Sequence, residues 1–412
     1  MAKMVSLENL KKYSLTLALV GLLLPLKLSN ITTGIFLLIS IISLFKVKGK
    51  NTLTKKNLFF AGFLLLFVIG LIYTEDLKYG FRILEKNLLW ILVPLLIPFG
   101  LKIAQKDIFK SLLYFAIANY ILGLFLIIVA CYKYIQTKNI LVFYYDNLTE
   151  VIGFHPVYLA VYLLFSLLIV IYGCQQKQIR LKNYIKFFLI GLNVLLLILL
   201  SSKMVLASFM LLFFIMILRS NQSRKKIAVY ILGLLIAFFV VMQFSETRER
   251  IKDSLFSSWK LLDQGTFKYN DPFTGITLRL ITWKFVMQKF IEDENIVIGV
   301  GTGDAREFIN QVYRDRNMDA GGYINFNMHN QYLEFVLKFG LLGLIYFLTI
   351  LFLSFKKAMK DKNSLYFSFL LLFCIFSLTE SNLEVQRGIV FFILFNSIFY
   401  FQPRTKIAVI DE

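Results

Sequence analysis

The sequence predicts an all-α integral membrane protein of about twelve transmembrane helices, with one large non-cytoplasmic loop that carries short helices. Three observations lead there. Of 412 residues, 58% are hydrophobic and only 17% charged, with a mean hydropathy of +0.70, whereas soluble domains are near half apolar and about a quarter charged. The apolar residues come in long runs, such as Val194 to Leu200 and Leu365 to Leu378, as they do where lipid surrounds a helix. The charges, finally, divide unequally between alternate loops.

Each span needs roughly 17–25 mainly apolar residues. Runs of that kind fall at about 13–29, 31–46, 57–73, 88–104, 108–131, 155–173, 184–200, 202–219, 226–244, 330–355, 364–380 and 387–402. Lys11 and Lys12 before the first run resemble a signal-peptide start, but no small-residue cleavage site follows, so a retained span is expected. Pro25, Pro94 and Pro98 are expected to kink or break their spans where neighbouring helices re-satisfy the backbone. The chain thus divides into a bundle over 1–244, a large loop over 245–328, a second bundle over 329–403 and a tail over 404–412.

A formal charge of +20 invites a nucleic-acid reading, but its location argues otherwise. Lysines and arginines crowd short loops: Lys46, Lys48 and Lys50; Lys177, Arg180 and Lys182; Arg224, Lys225 and Lys226; Lys356, Lys357 and Lys360. With the N-terminus in the cytoplasm, alternation puts all of these loops, and the C-terminal Arg404 and Lys406, on the cytoplasmic side, where positive loops belong. The loop from Ser245 to Met328 is nearly charge-balanced. Excess charge therefore marks topology, not a binding stripe, and a nucleic-acid partner is excluded. No Walker A, GxSxG or HExxH pattern occurs, and Cys131, Cys174 and Cys374 have neither disulfide nor metal spacing. The stretch from Gly299 to Gly303 reads as a tight turn before a helix, since it lacks the full dinucleotide or P-loop pattern.

The polar residues that look out of place share one face. His155 and His329 open spans from the outer side, and Lys203 lies in a very apolar outer hairpin. Arg82 and Lys86 precede an outer span start, Arg279 sits in the large loop, and Glu380, Glu384 and Arg387 flank the last outer turn. Taken singly, each has a bland reading as a solvated helix end, a snorkelling cation or a local ion pair. Their convergence at one membrane edge marks a functional region. Within the large loop, Thr277 and Asp304 are placed to cap two helices, the first burying Leu278, Ile281, Phe285 and Phe290.

Several segments then resemble the O-antigen ligase and polymerase superfamily, in matching order over roughly the C-terminal two thirds. His329-Asn330-Gln331-Tyr332-Leu333-Glu334, with Gly340-Leu341-Leu342-Gly343-Leu344 after it, resembles an HNxxLE span entry followed by GxxGL. Arg279-Leu280-Ile281-Thr282-Trp283 resembles an RxxxW segment before a GxG turn. Ser201-Ser202-Lys203 resembles a Ser/Arg hairpin, and His155-Pro156-Val157-Tyr158 an HPxY span start. Lys203 stands where many members have arginine, and a lysine lacks the bidentate fork.

The resemblance implies a GT-C-like helical fold in a bacterial inner membrane, with both termini cytoplasmic and a periplasmic active site. Its expected reaction moves a glycan from undecaprenyl diphosphate to an acceptor hydroxyl such as that of lipid A-core, with inversion and without metal, nucleotide or other cofactor. His329 and Arg279 are then the catalytic candidates, as general base and phosphate-stabilising cation. Arg82, Lys203, Arg387, His155, Gln331, Glu334 and Glu380 are candidates to bind the lipid diphosphate or glycan. A polymerase or a protein O-oligosaccharyltransferase would use the same chemistry, and a flippase for lipid-linked sugars stands as the reading from another class.

Overall fold

The computed structural model describes residues 6–46, 53–200, 203–218, 259–292 and 296–402, and every regular element among them is helical. The expected ninth span at 226–244, Ser201 and Ser202, and the start of the large loop lie outside the described residues.

Helices α1 (Leu7–Gly21) and α2 (Leu26–Lys46) pack together as a hairpin that Pro25 separates. The next span is broken: α3 (Lys55–Ala61) and α4 (Leu64–Ile72) meet at 42°. Helices α5 (Leu77–Asn87) and α6 (Leu89–Gly100) follow nearly end to end. Together they start well before the expected span at 88, because Asp76 Oδ1 caps α5 through the Tyr79 N–H at 2.9 Å. Arg82 and Lys86 are therefore helical, not loop residues. Pro98 has no N–H for the carbonyl four residues back, and the Asn57 side chain donates to that Pro94 oxygen at 2.8 Å. A neighbouring helix repairs the ladder as expected.

Helix α7 (Gln105–Thr137) has 33 residues, roughly 50 Å, so it outreaches a hydrocarbon core of about 30 Å. After the short α8 (Tyr145–Thr149) comes α9 (Pro156–Gln175), then α10 (Asn183–Leu199) and α11 (Lys203–Leu218). Beyond the undescribed stretch lie α12 (Gly275–Glu292) and α13 (Ala305–Asp315). Helices α14 (Gln331–Lys360), α15 (Ser364–Ser377) and α16 (Gln386–Phe401) complete the described fold.

Five described helices are long and apolar enough to cross a membrane, six if the bent α3–α4 pair counts as one span. Their burial separates inner from outer positions. Helix α9 is covered by protein along 83% of its most apolar window, against 39% for α2 and α7. Helix α16 is buried almost throughout, stacking Phe392 on Phe373 with ring centroids 4.0 Å apart. The outer helices leave large apolar side chains uncovered, among them Phe45, Ile72, Ile128 and Phe187. So much bare hydrocarbon on so many helices fits a lipid surround and not water. The protein is a multi-pass membrane protein.

A second apolar core lies apart from the bundle. Phe267, Ile281, Phe285, Phe290, Ile309 and Tyr313 pack with Val336 and Leu337 from the start of α14. The α12 face anticipated from Ile281, Phe285 and Phe290 is the buried one. Its cap is Thr274: the hydroxyls of Thr274 and Thr277 each accept the other's backbone N–H, at 3.3 and 2.9 Å. Asp304 does precede α13, but its carboxylate reaches across to the N–H groups of Glu75 and Asp76, at 2.8 and 2.9 Å.

The stretch 296–304 laces this unit to the bundle. Helix α14 is broken at Gly340 (φ 62°, ψ −162°), and the broken ladder is re-paired by the passing chain. Val300 and Gly301 donate to the Leu337 and Lys338 carbonyls at 2.8 and 3.1 Å, while Leu341 donates to Ile296 O at 2.8 Å. Thr302 then bonds the Phe67 and Gly70 carbonyls of α4, at 2.8 and 3.2 Å. The glycines of this turn serve close backbone approach: a Cβ on Gly301 would meet Thr74 Oγ1 at 2.6 Å.

Candidate functional site

The site begins where α14 begins. Asn330 caps that helix, its Oδ1 accepting from Tyr332 and Leu333 N–H at 3.0 and 3.1 Å. To reach that cap the chain turns at His329, which adopts a left-handed φ of 44° and donates its N–H to Asn327 Oδ1 at 2.9 Å. A non-glycine residue held there stores strain of order 1–3 kcal/mol, a feature found at functional sites.

Helix α12 supplies the second component. Arg279 and Trp283 are one turn apart, so they face the same way. Trp283 donates its indole N–H to Met328 O at 2.6 Å, and Arg279 Nη2 donates to Glu380 Oε1 at 2.9 Å. The other Glu380 oxygen lies 3.3 Å from His329 Nδ1. One carboxylate from the α15–α16 connection therefore links the candidate base to the candidate cation. A carboxylate accepts only, so Nδ1 carries a proton, and in the neutral ring Nε2 is then the acceptor. The Glu380, Arg279 and His329 side chains are 15%, 25% and 32% exposed. Arg279 Nε is buried with no partner among the described residues. Beneath α12, burial pushes the Tyr313 phenol up to about 12, which keeps it protonated against the Thr282 hydroxyl at 3.1 Å.

A second polar network braces the same turn from the bundle side. The buried Glu334 accepts the Met328 N–H at 3.2 Å and the Ser381 hydroxyl at 3.3 Å. Its other oxygen lies 3.5 Å from Lys338, which also pairs with Glu384. Lys86 donates to the Glu384 carbonyl at 3.1 Å. Gln331 Oε1 accepts the Leu383 N–H at 2.6 Å, and Ser381 Oγ accepts the Asn330 N–H at 3.2 Å. The last turn is thereby tied to the start of α14 at several points. A cavity of ≈ 300 Å³ adjoins this network, lined in part by Lys86, Lys338 and Arg306.

Not every anticipated residue joins this cluster. Arg387 is buried, donates to the Gly153 and Leu24 carbonyls at 3.3 and 3.5 Å, and lies 3.7 Å above the Phe154 ring. Its charge is committed to the approach to α9 and to the α1–α2 turn. His155, at the α9 N-cap, is exposed and meets the Tyr145 and Tyr158 rings edge-on. Arg82 is exposed on α5, one turn before Lys86. Lys203 opens α11, and its side chain lies outside what is described.

Sequence reasoning passed over Lys338, Arg306 and Asn327. The signal for Lys338 was present: Glu334 and Lys338, four apart in one apolar span, face the same side and need each other there.

Residues 185–348 match the family model described as O-antigen ligase. The match spans Arg279, His329 and Glu334, while Glu380 lies beyond it, and it supports the O-antigen ligase superfamily that the motifs resemble. It also supports a glycosyltransferase-type enzyme of the ligase or polymerase kind, with lipid-linked glycan and acceptor as its general partners. No curated protein matches the chain.

Proposed function

Proceeding from the O-antigen ligase pattern over residues 185–348, we propose that this protein moves a glycan from undecaprenyl diphosphate to an acceptor hydroxyl at the periplasmic face of a bacterial inner membrane. The observation that carries the reading is the Glu380 carboxylate shared between His329 and Arg279. Glu380 holds the imidazole in the tautomer whose Nε2 accepts a proton, as a carboxylate does for histidine in general-base sites. Arg279 offsets the carboxylate's charge and, with its side chain 25% exposed, can turn part of its guanidinium to a phosphate oxygen.

In the transfer step the acceptor hydroxyl gives its proton to His329 Nε2 while its oxygen attacks the anomeric carbon. The bond from that carbon to the phosphate oxygen breaks, and undecaprenyl diphosphate leaves with the electron pair. Fixed cations stabilise that developing charge without reorganising at the moment of reaction. Displacement in one step inverts the anomeric centre. Arg82 on α5 and Lys203 on α11 are the further cations within the proposal, whereas Arg387 acts by holding the residues that lead into α9. Gln331 and Glu334 fix the His329 turn.

Glycan transfer from a lipid-linked donor, measured in membranes holding equal amounts of each variant, tests the reading. His329→Ala and Arg279→Ala are expected to lose activity by about 10²–10⁴-fold, the usual contribution of a positioned acid–base group. Full activity in both would overturn it.

A further inference from the structure

We infer that the cavity beside the His329 turn is a subsite for an acidic sugar, a pyranose ring bearing one carboxylate or comparable anionic group. The inference rests on glycan transfer as proposed above. The cavity, of ≈ 300 Å³, lies between α5, α13, the residues before His329 and the last turn, and none of His329, Arg279 or Glu380 lines it. Its size is at the lower end of small-ligand sites, suited to a sugar-sized group and not to a peptide segment.

The unspent hydrogen-bonding groups on its wall define the ligand. Glu334 accepts from Met328 and Ser381 and pairs with Lys338, and Lys338 is held between Glu334 and Glu384. Lys86 spends one N–H on the Glu384 carbonyl. Arg306 lies 5.4 Å over the Tyr79 ring, with a single long bond to Asn325 O at 3.5 Å. The Asn327 amide spends its oxygen on His329 N–H and keeps its NH₂. What remains is mostly donors, on Lys86, Arg306 and Asn327, with one net positive charge among Lys86, Lys338, Arg306, Glu334 and Glu384. Glu384 Oε1, which has no bond among the described residues, is an acceptor on this wall that a ligand O–H would satisfy. The Tyr79 and Phe326 rings also line the cavity, with Arg306 over one face of Tyr79.

A sugar with one anionic group satisfies all of this: its anion meets Arg306 and Lys86, a hydroxyl donates to Glu384, and its C–H face lies on a ring. A bare diphosphate fits worse, because its several negative charges face two lining carboxylates and only one net positive charge. A neutral sugar leaves the cations unmatched.

Saturation-transfer NMR on the full chain in lipid nanodiscs, with glucuronic acid, glucose and inorganic diphosphate as probes, tests the inference. Glucuronic acid is expected to bind at least about tenfold more tightly than glucose. Arg306→Ala, at an exposed position, and Lys86→Gln should each abolish that preference, with unchanged melting temperatures showing that both variants fold. Arg279→Ala, which touches no residue of this cavity, should leave it unchanged, so failure of the transfer reading and failure of this one are separable. Equal binding of glucose, displacement by diphosphate at equal concentration, or indifference to both variants would overturn it. Lipid-linked glycan extracted from the host membrane then assigns the side: displacement of glucuronic acid puts the subsite on the donor, and persistence puts it on the acceptor.

Discussion

The Trp283 indole holds the Met328 carbonyl at 2.6 Å, one residue before the histidine whose geometry the site depends on. An arginine and a tryptophan one helical turn apart therefore act on the same turn: Trp283 grips its backbone, and Arg279 reaches it through Glu380. Replacing Trp283 by Phe keeps the ring and removes the donor, leaving a carbonyl unpaired at a cost of about 1–3 kcal/mol. Transfer is expected to fall roughly tenfold, with unchanged protein in the membrane. An unaltered rate would show that the turn holds without this bond.

Glu380→Gln keeps the side-chain shape and an acceptor but removes the charge that fixes the imidazole and balances Arg279. Transfer should drop about 10²-fold or more, with little change in the concentration of acceptor needed for half-maximal rate. If Gln is tolerated while Ala is not, shape and not charge is what Glu380 supplies.

Lys338 is 3% exposed between two carboxylates. Lys338→Met strands Glu334 and Glu384 without their cation, at a cost of about 3–5 kcal/mol. A clearly lowered melting temperature in detergent is expected, partly restored by adding Glu384→Gln. A wild-type melting curve for Lys338→Met would remove the network from any stabilising role.

Arg387 gives the opposite signature to Arg279. Its guanidinium bonds two backbone carbonyls and covers Phe154, so Arg387→Lys keeps the charge but loses the fork and the stacking. Lower thermal stability with an unchanged apparent affinity for the lipid-linked donor is expected. A selective loss of donor affinity would return Arg387 to the binding surface.

Gly340→Ala places a Cβ against the Val297 carbonyl in a backbone region that is essentially glycine-only, costing of order 1–3 kcal/mol before any clash. Faster proteolysis within 259–328 is the expected readout.

Much of this site was legible because its residues lie within compact motifs. His329 and Glu380 stood out as ionisable groups at the ends of apolar runs and Arg279 as a cation within the large loop, and the structure brings the three together. The start of α5 was not legible. Lys78, Arg82, Glu85 and Lys86 interrupt its hydropathy, and the Asp76 cap that extends the helix is a local bond with no apolar signature. Thr277 was half right, since the capping pair is reciprocal with Thr274 and either hydroxyl reads as a cap from sequence. The cavity was invisible for a different reason. Arg306 and Asn327 reach it only because the stretch 296–304 fixes where α13 docks, and no periodicity encodes that docking.

The lacing at Gly340 also constrains how such proteins can be recombined. A grafted outer segment from a relative would bring its own strand to thread past the host's helix break, and backbone groups on both sides would need to meet in register. Exchanges that carry 296–304 together with 337–342 and the Phe67–Gly70 turn keep donor and acceptor matched. Exchanges cut between them leave buried peptide groups without partners, at the cost of an unmade hydrogen bond each. Specificity swaps between relatives should therefore succeed at module joints outside this seam and fail across it.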